Sequence, residues 1–338
     1  MGEGHTLRSL LACGGDRILS APILKVKGLQ KIFQSGGFLI KKGKDKVAVH
    51  DMSFDLVAGE TLAIVGESGS GKSTTARLAM RLIEANRGSI QWGEVKASGL
   101  NGSALRKHRK VIQMVFQDPF ASLNPKMKIV DTVAEGLRVH QPNLSANERR
   151  EKVKETLALC GLGAEALDRY PHQFSGGQRQ RIGIARALIV EPDVLVLDEP
   201  VSALDVSVQA QILNLLKELQ ARKNLAYLFI SHDLSVVQHI ANRVIVMFAG
   251  HVVEEGNVAD VFSKPKHPYT QSLLDARPIN HPNERKSAVE IKADEGVAAQ
   301  GCAFALRCPF AQTDCASFDM QLSDGYSCLF PLNINENN

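Results

Sequence analysis

The stretch "TLAIVGESGSGKST", residues 61–74, decides the fold. Thr61–Val65 is β-branched and apolar, the composition of a buried strand. The pattern G-x-x-x-x-G-K-S then runs from Gly66 to Ser73, and a helical segment is predicted from Lys72 to about Leu82. Strand, glycine turn and helix in that order make a cradle for a chain of phosphates. Gly66, Gly69 and Gly71 permit the backbone conformations and close approach that the cradle needs. The intervening Glu67, Ser68 and Ser70, with Thr74 beyond, complete a loop whose N–H groups and helix N-terminus attract negative charge. Lys72 supplies a full charge for the β- and γ-phosphates, and the Ser73 hydroxyl is a candidate Mg²⁺ ligand.

A second segment completes the site. "VLVLDE", residues 194–199, is an apolar run ending in two acids. A buried strand of this kind delivers Asp198 and Glu199 to its C-terminal end, where parallel α/β sheets bind ligands. Asp198 is expected in the Mg²⁺ shell, and Glu199 is placed to take a proton from an attacking water.

Around these two segments the chain alternates short apolar runs with helical patterns. Strands are predicted at 23–33, 52–57, 61–66, 111–117, 194–199, 225–231 and 243–248. Helices are predicted across 128–160 and at 177–189, one opening on the capping box Ser145–Glu148. Cys160 falls on the apolar side of that helix as a core thiol. The pattern predicts an α/β fold, a mostly parallel sheet flanked by helices with an antiparallel part near the N-terminus. Residues 1–22 read as an extension, 278–299 as a polar linker, and "KKGKDK" (41–46) as a solvated hairpin loop.

With 338 residues, 44% of them hydrophobic and 22% charged, the chain has enough apolar material for a large globular domain. A net charge of +4 is too small to point to nucleic acid. No apolar run reaches the ~18 residues of a membrane helix. "LLAC" (10–13) loosely resembles a lipoprotein cleavage box but lacks the preceding apolar stretch, so export is not expected and a cytosolic setting is.

Further motifs carry a family resemblance. "FSGGQRQR" (174–181) precedes the Asp-Glu strand, and "SALD" (202–205) and "ISHD" (230–233) follow it. "VFQDP" lies upstream with Gln117. In this order, over about 25–275, the set resembles the ATP-binding cassettes of ABC transporters. The resemblance implies a P-loop cassette with a helical subdomain, and ATP hydrolysis with Mg²⁺. Ser175, Gly176, Gly177 and Gln178 correspond to the signature that contacts ATP held by a partner cassette. His232 matches the switch histidine, and Gln117 the loop that joins the Mg²⁺ shell and reports to membrane subunits. Asp205 belongs at the dimer interface, and Phe33 where an aromatic ring stacks on adenine. "FQDPFASLNPKMKI" (116–129), "KPKHPYTQSLL" (264–274) and a cysteine-bearing tail narrow the resemblance to the ATP-binding subunits of dipeptide, oligopeptide and nickel permeases. It implies a cassette over 23–265 and an extension over 266–338. The implied partners are a second homologous ATPase, two membrane permease subunits and, indirectly, a solute-binding protein, all assembled at the cytoplasmic face of the membrane. Peptides are the expected cargo, with nickel, glutathione or another solute as alternatives. A soluble ABC ATPase acting on ribosomes or chromosomes is disfavoured by the absence of a second cassette or a long coiled coil.

Four of the six cysteines lie in the tail at Cys302, Cys308, Cys315 and Cys328, separated by five, six and twelve residues. A tail too short for a core of its own invites a staple. A cytosolic setting disfavours disulfides. The spacing is wider than the tight pairs of structural zinc sites. Four thiolates also suit a [4Fe–4S] cluster, and Pro309 follows Cys308 as proline follows a ligand in bacterial ferredoxins. The residues alone leave zinc, a cluster, disulfides and free thiols open; the resemblance to peptide permeases implies the cluster.

Overall fold

The computed structural model describes residues 21–34, 45–276 and 296–333. Most of the lysine-rich loop, most of the polar linker and Cys13 lie outside them. Ten strands are formed among the described residues: β1 (Leu24–Phe33), β2 (Lys46–Leu56), β3 (Thr61–Val65), β4 (Arg87–Trp92), β5 (Val95–Lys96), β6 (Ile112–Val115), β7 (Val194–Asp198), β8 (Ala226–Ser231), β9 (Arg243–Phe248) and β10 (His251–Asn257). The helices are α1 (Lys72–Ala79), α2 (Gly102–His108), α3 (Ile129–Val133), α4 (Glu135–His140), α5 (Ala146–Leu159), α6 (Gly176–Leu188), α7 (Val206–Lys223), α8 (Leu234–Ile240), α9 (Val258–Ser263) and α10 (Pro268–Asp275).

A six-stranded sheet of order β10-β9-β3-β8-β7-β6 forms the centre, parallel except for the β9–β10 hairpin. A second sheet, β2-β1-β4-β5, is wholly antiparallel. Strands β2 and β3 are joined by a tight turn, closed by the Glu60 N–H on the Val57 carbonyl at 3.2 Å, and belong to different sheets.

The central strands are buried on both faces, which is why they read as continuous apolar runs rather than alternating ones. Along β3, Ala63 and Val65 join one core with α3, α5, α6, α7 and α8. Leu62 and Ile64 join another, formed with α1 and the antiparallel sheet. Strands β7 and β8 divide their side chains in the same way. Each fully buried Leu, Ile, Val or Phe side chain contributes about 1.5–3 kcal/mol of transfer free energy. Where the two layers meet, the buried Trp92 donates its indole N–H to the Ala79 carbonyl at 3.0 Å, closing the end of α1.

Helix α1 ends three residues before the predicted limit, because the chain turns through a positive φ of 53° at Arg81. Strand β6 is likewise four residues long and releases Phe116 and Gln117 from the sheet. The Ser145 capping box is formed, and Cys160 is fully buried. Burial pushes its thiol up to about 12, as expected of an inert core residue.

The tail does not stand alone. Phe304, 1% exposed, packs against Phe248 of β9 and Tyr269 of α10, with ring centroids 5.2 and 5.3 Å away. Cys302 and Cys315 join the same core. Further along, Ser327 N–H donates to the Val253 carbonyl and the Glu255 N–H to the Gly325 carbonyl, pinning the tail to β10. The tail thus borrows an existing core, and a staple is not required to explain its order.

Candidate nucleotide site

The end of β3 meets the start of α1 at the phosphate loop. Gly66 has φ 146°, and a Cβ there would lie 2.1 Å from the Met247 carbonyl oxygen. Gly71 has φ 106°, and its Cβ would meet the Ala48 carbonyl at 2.4 Å. At both positions only glycine fits, for conformation and for space. Lys72 is 6% exposed, and its ammonium donates to the carbonyls of Gly66 and Glu67 at 2.8 and 2.9 Å. Burial pulls the Lys72 pKa down, while Glu199, Asp198 and Glu67 hold it up in that order.

Strand β7 brings its acids to the same place. The Ser73 hydroxyl donates to Asp198 Oδ1 at 3.0 Å. Burial raises the Asp198 pKa, and the Ser73 bond partly opposes it. Glu199 lies just past the strand with φ 48°, a strained conformation for a residue with a side chain. Its Oε2 accepts from Gln117 Nε2 at 2.9 Å and lies 3.2 Å from His232 Nδ1. Gln117, Glu199 and His232 come from the ends of β6, β7 and β8, so adjacent parallel strands assemble the trio.

These groups share a pocket of about 590 Å³ with Ser68, Gly69, Gly71, Lys72, Ser73 and Thr74 of the loop. Phe33, 44% exposed at the end of β1, forms an apolar wall of it. Lys46 and Ala48, which the sequence did not single out, complete the rim beside it. Two loop residues face elsewhere. Glu67 turns toward the C-terminal tail, and the Ser70 hydroxyl is buried without a partner among the described residues.

The signature residues are not brought into this pocket. Ser175 caps α6: its hydroxyl accepts from Gln178 N, and the Gln178 side chain accepts from Ser175 N, so two helix-end donors are satisfied. Gly177 packs where a Cβ would meet Val208 of α7 at 2.4 Å. Asp205 caps α7 through Val208 N at 3.0 Å and the Ser207 hydroxyl at 2.7 Å, and these bonds hold its carboxyl below the ordinary range.

Cys302, Cys308, Cys315 and Cys328 line one small, mostly apolar cavity with His267, Phe304, Phe310 and Phe330. Burial raises the Cys302, Cys308 and Cys328 thiols, the last to about 11, so they are protonated when no cation is near. No disulfide joins them. Among the described residues, no group of three or more His, Cys, Asp or Glu side chains is placed to hold a metal ion. The gathering expected of the tail is present, and the iron–sulfur expectation finds no support in a preformed ligand set.

A parallel sheet with this loop, an Asp-Glu strand end, a Gln and a His around one pocket defines an ABC-type ATPase cassette. Residues 49–202 match the ABC transporter family, and residues 253–315 match the oligopeptide/dipeptide transporter C-terminal region. The chain is 48% identical to the oligopeptide transport ATP-binding protein OppF of Haemophilus influenzae, over 85% of this chain and 88% of that protein. It is 48% identical to the OppF protein of Salmonella typhimurium, over 80% and 82%. Among solved structures, the dimeric ATP-binding cassette MJ0796, in a post-hydrolysis state with ADP and phosphate, superposes with a TM-score of 0.62 at 30% identity, over 70% of this chain and 98% of that one. The chain belongs to the ATP-binding subunit family of oligopeptide-type ABC transporters. No helix among the described residues is long and apolar enough to cross a membrane.

Proposed function

We propose that the chain hydrolyses ATP to power peptide import through a membrane transporter in which it pairs with a second, homologous cassette. One observation carries this reading: Lys72, Ser73, Gln117, Glu199 and His232 surround one pocket, while the signature at Ser175–Gln178 lines none of it. A half-site of this kind needs another chain's signature, and offers its own in exchange.

Within the pocket, Phe33 stacks on the base and the loop N–H groups with Lys72 bind the phosphates. Ser73 and Gln117 line the pocket with hard oxygen atoms, the donor type that suits Mg²⁺, and Asp198 stands behind Ser73, 3.0 Å from its hydroxyl. The bound ion supplies charge neutralisation on the phosphates. Glu199 takes the proton of the attacking water, and Gln117 and His232 fix the direction of its carboxylate. Asp205 and the signature form the face toward the partner cassette. The partners are two membrane subunits fed by a peptide-binding protein, and the chain works peripherally at the cytoplasmic side. The relatives named as oligopeptide transport proteins support the choice of cargo.

The tail cysteines are proposed to hold a [4Fe–4S] cluster. Besides the four thiols around one cavity, His267 supports this reading. Its Nδ1 accepts the Tyr269 N–H at 3.0 Å, so the neutral ring carries its proton on Nε2, which is buried without a partner among the described residues. That N–H belongs to a residue lining the thiol cavity and lacks an acceptor of the kind a sulfur-rich group provides. The cavity is narrow, so a cluster requires the surrounding loops to part.

The reading is tested by comparing ATP turnover of the isolated chain with that of the chain co-assembled with its homologous ATPase and membrane subunits. Turnover should be low alone and rise on assembly. Full activity from a demonstrably monomeric chain would refute the paired-cassette reading.

A further inference from the structure

We infer that Arg307 is a positioning residue for nucleotide binding, holding the phosphate loop in shape from the C-terminal tail through Glu67; this rests on the nucleotide reading of the pocket. Glu67 is the second residue of the loop, yet it does not line the nucleotide pocket. Arg307 grips its carboxylate with both terminal nitrogens, Nη1 to Oε2 and Nη2 to Oε1, each at 2.8 Å. A planar fork on a carboxylate fixes orientation as well as distance, which a lysine does not do.

The same residue is held at its backbone. The Glu67 N–H donates to the Tyr269 hydroxyl at 2.8 Å, and the Glu67 carbonyl accepts from Lys72 Nζ at 2.9 Å and from Ser70 N at 3.2 Å. The carbonyl that receives the Lys72 ammonium is therefore part of a residue clamped from outside the loop. Tyr269 is fully buried on α10, and Arg307 lies 240 positions from Glu67. Both clamp residues come from the C-terminal extension.

Arg307 is itself positioned by the tail's packing. Its guanidinium lies 5.5 Å from the Phe248 ring centroid and 5.6 Å from that of Phe304. Phe304 sits between Cys302 and Cys308 in the chain and lines the thiol cavity. The order of the cysteine-bearing segment is thus transmitted to the Glu67 carboxylate through Arg307. The Arg307 side chain is 17% exposed and that of Glu67 42%, so solvent screens the pair in part.

The test uses the full chain titrated with a fluorescent ATP analogue and Mg²⁺. Arg307→Ala should weaken binding about three- to fivefold, the upper end of the scale for a partly exposed ion pair, with one site per chain retained. A merely structural role would instead lower the number of sites and leave the affinity of the folded fraction unchanged. Arg307→Lys should recover part of the loss. In a Glu67→Gln background, Arg307→Ala should add nothing further, and Glu67→Gln keeps the test open if Arg307→Ala misfolds. An Arg307→Ala affinity within twofold of wild type, or an undiminished loss in the Glu67→Gln background, overturns the proposal. Lys72→Ala separates the two readings. If it abolishes binding while Arg307→Ala leaves the affinity within twofold of wild type, only the clamp fails; if Lys72→Ala leaves binding intact, the nucleotide reading fails and the clamp with it.

Discussion

Replacing Glu199 by Gln tests the chemistry with little change of shape. The side chain sits at the end of β7 with its Oε2 shared between Gln117 and His232 at 2.9 and 3.2 Å. Glutamine keeps the length and one oxygen acceptor, so the trio retains its geometry, but it cannot take up a proton. Loss of a positioned general base costs about 10²–10⁴ in rate, equivalent to about 2.7–5.5 kcal/mol in the barrier. Binding should move the other way, if at all. Glu199 is a negative charge facing the phosphate pocket, and its removal relieves repulsion with the nucleotide. Phosphate release by the assembled transporter at saturating Mg-ATP measures the first quantity, and equilibrium nucleotide titration of the same variant measures the second. The account requires turnover to collapse while affinity is unchanged or tighter. Comparable loss in both, or a fall in turnover of less than about tenfold, would remove Glu199 from the role of base.

Three further outcomes are expected. Ser175→Ala, in an assembled transporter, should impair hydrolysis at the ATP held by the partner's phosphate loop and leave binding at this chain's own pocket unchanged; site-resolved nucleotide trapping distinguishes the two. Burial holds His267 neutral in the fold, with its pKa lowered from 6.5 to about 3. A depressed histidine contributes full stability above pH 6.5, and that contribution is lost as pH falls through this value toward 3. At pH 5 the loss is about 2 kcal/mol, and His267→Asn, which keeps a capping side chain, should flatten the acid limb of a denaturant-melt series. Anaerobically purified protein should carry iron and sulfide with broad visible absorption, lost in Cys308→Ser; stoichiometric zinc, or no metal and no change on substitution, would contradict the cluster.

What was legible in the sequence is what local chemistry dictates. Strand β3, the glycines of its loop and the start of α1 follow from consecutive residues whose polarity and conformational needs agree. Asp198 and Glu199 were visible because a run buried on both faces ends abruptly in charge. Strand β10 was missed because "HVVEEGN" carries Glu254, which reads as a surface residue. In the fold its carboxylate is 3% exposed, accepting the N–H groups of Lys266 and His267. Strand β4 was missed because only Ile90 and Trp92 of its six residues are buried, too little alternation to stand out. The Arg307–Glu67 clamp had no local signal at all. Each residue sits in a recognisable motif, but their pairing depends on how the tail packs over β9 and α10.

The most direct measurement of the central claim is peptide uptake into proteoliposomes containing the chain, its homologous ATPase and both membrane subunits, with binding protein and a short radiolabelled peptide on the opposite side from Mg-ATP. Uptake that requires Mg-ATP, accompanied by peptide-stimulated hydrolysis and abolished by Glu199→Gln, is the predicted result. Peptide accumulation that persists unchanged in Glu199→Gln, or hydrolysis indifferent to the peptide-loaded binding protein, would contradict the account.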